Sequence, residues 1–327
     1  MMHTNLNLQD IKEAHERIQP YIRHTPLEYN WELSSWFAAN IFLKLENLQV
    51  TGSFKARGSF NKLLTLNQEQ CERGVIAPSA GNHGIGLAYA AHQLNIPAQV
   101  YLPKDADSSK VKALEQFGAL ITFFDTIEEA RLAALEASEN KGYTFLSAYN
   151  NPSMIAAGGT IGLEILEDLS DVDIVISCLG GGGLTAGLCL ALKAVNPRIE
   201  VWGVQTVNSP TFAVWNEVGK AISVDLEPSI AEGLSGPIEP ETITFPIIHR
   251  HIDRILTVSE KELIAAMKLM LNSQYMVEPS GAAGVACLPQ VGSELKGRKV
   301  AIIITGRNIS WSRFSWLVSE TDPVIGF

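Results

Sequence analysis

The sequence predicts an α/β protein in which mainly parallel sheets are flanked by helices. Strand-like and helix-like segments alternate along most of the chain, the pattern of parallel sheets covered by helices. The 327 residues allow roughly two domains. Hydrophobic residues make up 46% of the chain and charged residues 18%, which excludes disordered and fibrous proteins. We therefore expect a globular protein with a large buried core.

The alternation identifies the individual elements. Apolar runs rich in β-branched residues predict strands at residues 41–45, 74–77, 98–102, 120–124, 174–179, 201–204, 255–258 and 300–305. Apolar residues at helical spacing predict helices at residues 82–95, 109–117, 127–140, 155–169, 184–195 and 260–273. Together they form two βαβ groups, at about residues 74–147 and 174–305.

The first βαβ group is predicted to be a small domain inserted into a larger one. Asn150-Asn151-Pro152-Ser153 is a dense turn signal between the two groups. We predict a large domain of residues 1–48 and 151–327, and a small domain of residues 49–150. The segment at residues 228–246, rich in Pro, Gly and acids, is predicted to be a long functional loop.

Charge and cysteine content limit the partners and the compartment. The net charge is −10 and Lys and Arg form no cluster, so nucleic acid is excluded and small molecules or copies of the chain are favoured. The four cysteines form no CxxC pair, which favours neither a disulfide framework nor a zinc site. No secretory signal is visible, and four glycines interrupt the uncharged stretch at residues 174–192. We expect a cytoplasmic protein without a membrane span or metal site.

A run of glycines joins the strand predicted at residues 174–179 to the following helix. Their backbone N–H groups can converge at the helix N-terminus, where unpaired donors and the helix dipole favour an anion. A close-packed turn is the alternative, but four glycines are more than a turn needs. We interpret the run as a phosphate site and call it the glycine loop: Gly180, Gly181, Gly182 and Gly183.

The surroundings of the glycine loop indicate which phosphate ligand is bound. A dinucleotide site needs an acid about 20 residues further on, and Gln205 holds that place. A P-loop needs Gly-Lys-Ser/Thr after its glycines, and none follows here. A cofactor with a single phosphate is therefore favoured over NAD or ATP.

Lys55 lies at the start of a predicted helix, within Thr-Gly-Ser-Phe-Lys-Ala-Arg-Gly at residues 51–58. The helix dipole disfavours a cation there by about 0.3–1 kcal/mol. Together with partial burial, this would lower the pKa of the lysine and favour the neutral amine of a Schiff-base lysine. An exposed lysine lying along the surface is the alternative interpretation.

A second polar loop, Ser-Ala-Gly-Asn-His-Gly at residues 79–84, follows the strand predicted at residues 74–77 and begins another helix. The side chains of Ser79 and Asn82, with backbone donors, could bind a carboxylate at that helix N-terminus. His83 could be a base, but we predict that it is a structural donor that holds its loop.

These motifs, in this order, resemble the fold-type II family of pyridoxal-phosphate enzymes, in particular threonine/serine dehydratases and serine racemase. The resemblance covers about residues 8–317 and implies a large cofactor-binding domain and a small domain with the substrate loop. It is carried by Ser53-Phe54-Lys55-x-Arg57-Gly58, Ser79-Ala80-Gly81-Asn82-His83-Gly84, the glycine loop with Leu184, Glu278-Pro279-Ser280-Gly281 and Thr305-Gly306-Arg307-Asn308.

The resemblance implies a role for each of these residues. Lys55 would bind the aldehyde of pyridoxal 5′-phosphate and later take the substrate α-proton. Asn82 would bind the ring oxygen, Phe54 would pack against the ring and Thr305 would meet the ring nitrogen. Glu278 would support the cofactor; the alternative is a carboxylate that only marks the start of a helix. Backbone amides would hold the phosphate at Gly180, Gly181, Gly182, Gly183 and Leu184. The substrate carboxylate would lie against Ser79, Ala80, Gly81, Asn82 and His83.

The implied reaction is elimination of the β-hydroxyl as water from a small β-hydroxy amino acid, most simply L-threonine or L-serine. Hydrolysis of the released enamine then gives a 2-oxo acid and ammonia. A neutral hydroxyl at Thr305 leaves the ring nitrogen largely unprotonated and suits rapid β-elimination. Arg307 stands where most dehydratases carry a small residue; it is either a surface arginine or it reaches a second carboxylate or another polar group of the substrate. The alternatives are therefore threo-3-hydroxyaspartate and a hydroxyectoine-derived amino acid. The family likeness also implies a homodimer.

Three departures from the family pattern matter. Serine racemase carries a serine as second base at the place of Ala80, so elimination without racemisation is favoured. Many relatives bind a divalent cation through an acid at the place of Gln205, so no metal is expected. After residue 317 only ten residues remain, which leaves no room for a regulatory domain and favours a catabolic role.

Other functions remain as alternatives. A β-replacement synthase usually carries Thr at the place of His83, so His83 argues against this alternative. A ligand-binding relative that has lost its chemistry would not need Lys55, so retention of this lysine argues against that interpretation. A dinucleotide oxidoreductase would bind NAD without a covalent link to a lysine.

Overall fold

The computed structural model describes residues 6–79, 81–239 and 241–319. In these residues the chain alternates between strands and helices, as predicted. The strands are β1 Leu27–Tyr29, β2 Asn40–Lys44, β3 Val75–Pro78, β4 Ala98–Pro103, β5 Leu120–Phe124, β6 Thr144–Phe145, β7 Ile174–Cys178, β8 Glu200–Thr206, β9 Arg254–Val258 and β10 Lys299–Ile303.

Helices cover the sheets and connect the strands. The α-helices are α1 Leu8–Ile18, α2 Trp31–Phe37, α3 Lys55–Leu63, α4 Gln68–Arg73, α5 Asn82–Leu94, α6 Ser108–Gln116, α7 Ile127–Lys141, α8 Pro152–Asp168, α9 Gly183–Val195, α10 Thr211–Val218, α11 Thr244–His251, α12 Glu260–Asn272, α13 Pro279–Ala286, α14 Leu288–Val291 and α15 Trp311–Ser319. Short 3₁₀ helices lie at Glu46–Leu48, Glu232–Leu234 and Gly292–Glu294.

The strands form two sheets, and the predicted fold class is confirmed. The larger sheet has the order β1-β2-β10-β7-β8-β9 and the smaller one the order β5-β4-β3-β6. Strand β1 pairs antiparallel with β2, whereas the other pairs are parallel. The division into residues 1–48 with 151–327 and residues 49–150 stays a prediction.

The larger sheet is buried on both faces, as parallel sheets require. Successive residues of β10 point to opposite sides: Ile302 packs in the cluster that includes residues of α12 and α13, and Ile303 in the cluster that includes residues of α8 and α9. Because side chains on both of these sides are buried, the strand is apolar at nearly every position.

The predicted turn at residues 150–153 is also the start of a helix. The side chain of Asn151 accepts a hydrogen bond of 2.8 Å from the backbone N–H of Ser153, and Pro152 occupies the first turn. Proline is favoured there because a first-turn N–H has no partner inside the helix. Helix α8 therefore begins three residues earlier than predicted.

The strand order places a crevice beside the glycine loop. Strands β10 and β8 lie on opposite sides of β7, so the chain changes direction across the sheet at this point. Ligands of open α/β sheets bind at the carboxyl ends of strands at such a switch point. The uncharged stretch at residues 174–192 forms β7, the glycine loop and most of α9, and no described helix is both long and apolar enough to span a membrane.

Candidate active site

A cavity of about 480 Å³ lies between the two sheets, at the carboxyl ends of β3, β7 and β10. Its volume is that of a small-molecule or cofactor site. Every described residue that the sequence predicts to bind the cofactor or the substrate α-carboxylate lines it: Phe54, Lys55, Ser79, Gly81, Asn82, His83, Gly180, Gly181, Gly182, Gly183, Leu184 and Thr305. Ala80 lies outside the described residues.

Lys55 is the first residue of α3, and its partly buried amine reaches the cavity. Its Nζ donates a hydrogen bond of 3.1 Å to the carbonyl oxygen of Ala148 and lies 4.9 Å from the centre of the Phe54 ring. Burial lowers the pKa of Lys55 to about 8, although the nearby Cys178 and Glu278 oppose that shift. A substantial neutral fraction of this amine is therefore present at a pH near 8, as nucleophilic attack and proton abstraction require.

The glycine loop follows β7 and leads directly into α9. Gly182 has φ +87°, and a Cβ there would lie 2.7 Å from Cδ1 of Ile248. A Cβ at Gly181 would lie 2.3 Å from Cδ1 of Tyr149. Only glycine can therefore form this turn while leaving the first N–H groups of α9 open to the cavity, an arrangement that suits a phosphate.

The second polar loop lies at the start of α5. The hydroxyl oxygen of Ser79 accepts hydrogen bonds of 3.2 Å from the backbone N–H groups of Gly81 and Gly84. Those bonds leave the hydroxyl hydrogen of Ser79 available to a ligand. Asn82 donates from Nδ2 to Oε1 of Glu278, at 2.6 Å. The loop therefore offers neutral donors and a helix N-terminus, which suit a carboxylate.

His83 is buried and neutral. Its Nε2 donates a hydrogen bond of 3.0 Å to the carbonyl oxygen of Leu146. Burial and the nearby charge of Lys55 lower the pKa of His83 to about 4. These contacts agree with the predicted structural role, because the donor nitrogen is occupied in holding the loop against the segment that follows β6.

Two further titratable groups lie close to Lys55. Burial raises the pKa of Glu278 to about 7, and burial raises the pKa of the Cys178 thiol to about 11. The Cys178 sulfur lies 3.5 Å from the hydroxyl oxygen of Thr305. Cys178 belongs to the buried core and also lines the cavity beside Thr305.

An ion cluster at the cavity wall was not predicted. Lys110 of α6 contacts Glu232 at 2.5 Å, and Arg313 of α15 binds the other oxygen of the same carboxylate. Glu232 lies in the segment at residues 228–246, which the sequence predicts to be a functional loop. That prediction was the available signal that Glu232 belongs to the site. Its charged partners are far away in sequence and were therefore missed. Arg307 is exposed and is not among the described residues that line the cavity.

Gln205 is the penultimate residue of strand β8 and is buried. Its Oε1 accepts a hydrogen bond of 2.9 Å from the backbone N–H of Ala213. A neutral amide whose oxygen is already engaged does not fit the oxygen-rich, anionic ligand set of Mg²⁺ or Ca²⁺. In the described ranges, no group of three or more His, Cys, Asp or Glu side chains is placed to hold a metal ion.

The chain is similar to known proteins along most of its length. The family model described as pyridoxal-phosphate dependent enzyme matches residues 18–306. An L-threonine ammonia-lyase of Thermotoga maritima is 40% identical over 317 residues, covering 96% of this chain and 79% of that protein. An L-threo-3-hydroxyaspartate ammonia-lyase of a Pseudomonas species is 35% identical and covers 94% and 97%.

Solved structures show the same fold. Maize serine racemase superposes with a TM-score of 0.89 at 30% identity, covering 96% of this chain and 97% of that one. A serine racemase from Dictyostelium discoideum superposes with a TM-score of 0.87 at 34% identity, covering 94% and 100%. With a family match across most of its length and relatives of this identity, the chain belongs to the pyridoxal-phosphate dependent enzymes of fold type II.

Proposed function

We propose that this enzyme is an ammonia-lyase that converts L-threonine or L-serine to a 2-oxo acid and ammonia. The observation that carries the proposal is the amine of Lys55, whose pKa is lowered to about 8 inside a cavity that also offers an anion loop and a carboxylate loop. The relatives named as ammonia-lyases of hydroxy amino acids support the reaction class.

Pyridoxal 5′-phosphate is the cofactor of this family, and the residues around the cavity fit it. We assign the phosphate to the backbone N–H groups of the glycine loop and Leu184, the ring face to Phe54, the ring oxygen to Asn82 and the ring nitrogen to the hydroxyl of Thr305. When bound, the cofactor withdraws electrons from the α-carbon of the amino acid joined to it and so acidifies the α C–H bond.

Lys55 is assigned two roles that its lowered pKa serves in turn. As a neutral amine, Nζ is able to hold the cofactor covalently. Once released, the same nitrogen accepts the α-proton of the substrate as general base, which is efficient because its pKa lies near the pH of the cell.

The loop at the start of α5 is assigned to the substrate α-carboxylate. Ser79, the N–H groups of the first turn of α5 and the dipole of that helix all favour an anion there. Ala80 offers no atom that accepts a proton. Elimination is therefore favoured over racemisation, which needs a second base.

The charges around the cavity favour a substrate with an uncharged side chain. Among the described lining residues, the cations other than Lys55 are Lys110 and Arg313, and both are paired with Glu232. A second substrate carboxylate would have to displace Glu232 from one of them. This pairing supports threonine or serine as the substrate over threo-3-hydroxyaspartate.

The proposal is tested by measuring 2-oxo acid release from L-threonine, L-serine and L-threo-3-hydroxyaspartate. We expect product from the first two substrates, and no product from Lys55→Ala. Lys62→Ala on the same helix is the matched control and should keep the wild-type rate. A clear preference for hydroxyaspartate would overturn the substrate assignment, and the absence of product from all three substrates would overturn the reaction.

The homodimer and the division into two domains remain proposals that follow from the family likeness. A dimer of this 35.6 kDa chain should have about twice that mass in solution, which light scattering measures. A monomeric mass in the active enzyme would contradict it.

A further inference from the structure

We propose that Asn308 is a positioning residue that fixes the direction of the Asn82 side-chain amide, so that an N–H group of Asn82 faces the ring oxygen of the cofactor. The inference deepens the proposed function and rests on it, because that function assigns the ring oxygen to Asn82. The role of Asn308 itself follows from hydrogen bonds within the chain.

Three hydrogen bonds link Asn308 to the cavity. Nδ2 of Asn308 donates to the carbonyl oxygen of Thr51 at 2.8 Å and to Oδ1 of Asn82 at 2.6 Å. Nδ2 of Asn82 in turn donates to Oε1 of Glu278 at 2.6 Å. The three side chains of this relay all line the cavity.

The order of donors in this relay follows from its first member. The oxygen and nitrogen of an amide side chain have nearly the same shape, so the partners decide which way it points. The carbonyl of Thr51 can only accept, so Asn308 has to present its nitrogen there. The same nitrogen then requires an acceptor from Asn82, which has to be Oδ1. Nδ2 of Asn82 is thereby directed to Glu278 and the cavity.

This direction decides what Asn82 offers to a ligand. Nδ2 carries two N–H groups, and the bond to Glu278 uses one of them. The other is available for the ring oxygen, and a hydrogen bond to an ionised oxygen is roughly twice as strong as one between neutral groups. A reversed amide would instead present Oδ1 to the ring oxygen, and two acceptors repel each other.

Close packing holds Asn308 in place. A Cβ at Gly52, whose φ is +75°, would lie 2.5 Å from Oδ1 of Asn308. The backbone N–H of Arg307 donates to the carbonyl oxygen of Gly52 at 3.0 Å. Three segments therefore meet at Asn308: the one before Lys55, the one after β10 and the start of α5. Because Asn308 must donate to the backbone carbonyl of Thr51, it also fixes which end of the Asn82 amide faces it.

The test is Asn308→Asp, assayed by binding of two cofactors to the apoprotein. The substitution removes Nδ2, so the new carboxylate accepts from Asn82 and favours the reversed amide. Pyridoxal 5′-phosphate should bind at least about tenfold more weakly than to wild type. 3-Deoxypyridoxal 5′-phosphate lacks the ring oxygen, and its affinity should change less than about twofold. The visible absorption band of the natural holoenzyme should also shift.

Two variants control for other effects of the substitution. Asn140→Asp makes the same charge change at an exposed position of α7 and should bind both cofactors as wild type does. Asn308→Ala, used if the carboxylate prevents folding, leaves the Asn82 amide directed by Glu278 alone. It should weaken the natural cofactor alone, but by less than Asn308→Asp.

Two results would overturn the inference. Equal weakening of both cofactors would mean that Asn308 only supports the structure, and unchanged affinity for the natural cofactor would mean that it does not direct Asn82. The proposed function is judged separately, by wild-type turnover of threonine and serine. If wild type turned over neither amino acid, the difference in affinity between the two cofactors could still be measured and would still test the role of Asn308.

Discussion

The guanidinium of Arg57 donates two hydrogen bonds to the carboxylate of Glu164, at 2.6 and 2.9 Å, and both side chains are buried. Two more, at 2.8 and 2.6 Å, go to Glu46 on the other side. Lys44 lies 2.7 Å from Glu164 and 3.6 Å from the partly exposed Asp168, so this cluster joins two cations to three carboxylates. Because Arg57 follows Lys55 by two residues on α3, this cluster anchors the helix that carries the amine.

Removal of Arg57 should destabilise the enzyme strongly. Arg57→Ala leaves two buried carboxylates with too few partners, and the free energy of unfolding should fall by about 3–5 kcal/mol. The control is Arg73→Ala, which breaks an exposed pair with Glu69 and should lower it by less than about 1 kcal/mol. Urea unfolding of the holoenzymes measures both. Similar losses of unfolding free energy in the two variants would show that the buried cluster stabilises the enzyme no more than an exposed ion pair does.

The lowered pKa of Lys55 predicts how the apoprotein responds to pH. Acetylation of its amine, followed by mass spectrometry, should rise with a midpoint near pH 8. In the unfolded chain the lysine keeps its proton up to about pH 10.4. The unfolded state therefore binds more protons between these values, and this group makes the apoprotein more stable as the pH rises through that window. A midpoint near the ordinary value would contradict the burial of the amine.

The glycine loop should not tolerate a side chain at Gly182. Gly182→Ala adds a Cβ that would lie 2.7 Å from Ile248 and 2.8 Å from Phe212, at a left-handed φ. Gly219→Ala is the matched control, because Gly219 has φ +73° and nothing within 4 Å. The control should lose only about 1–2 kcal/mol of stability, which is the cost of placing a residue with a Cβ in a left-handed backbone conformation. Gly182→Ala should lose more and bind the cofactor at least about tenfold more weakly, in cofactor titrations. Equal affinity in the two variants would contradict the assignment of the phosphate.

Chelation of divalent cations should leave the wild-type activity unchanged. Gln205 is neutral and its Oε1 is engaged by the N–H of Ala213, so it is a poor ligand. Turnover is measured after dialysis against EDTA and again after addition of Mg²⁺. The melting temperature of the wild-type enzyme should likewise be the same with and without Mg²⁺, because an ion that bound the folded state would raise it. Wild-type activity that is lost on chelation and restored by Mg²⁺ would contradict this prediction.

Much of the fold could be predicted because its signals are local. Continuous runs of apolar, β-branched residues located the buried strands at residues 174–179 and 300–305, since such a run depends only on neighbouring positions. The short strands β1 and β6 were missed, because two or three residues carry no periodic signal. Helix α8 begins at Pro152, earlier than the periodicity indicates, because its first turn is capped by Asn151.

The residue types of the site were also readable from the sequence, because glycine runs, helix starts and their polar loops have characteristic composition. These motifs determined the fold class, the family and the part of the cavity lining that the motif residues themselves form. The tertiary structure decided how those residues are paired. The partners of Arg57, the ion cluster on Glu232 and the relay from Thr51 through Asn308 to Asn82 join segments far apart in sequence. Such contacts depend on how the two sheets pack together, and no local pattern encodes them.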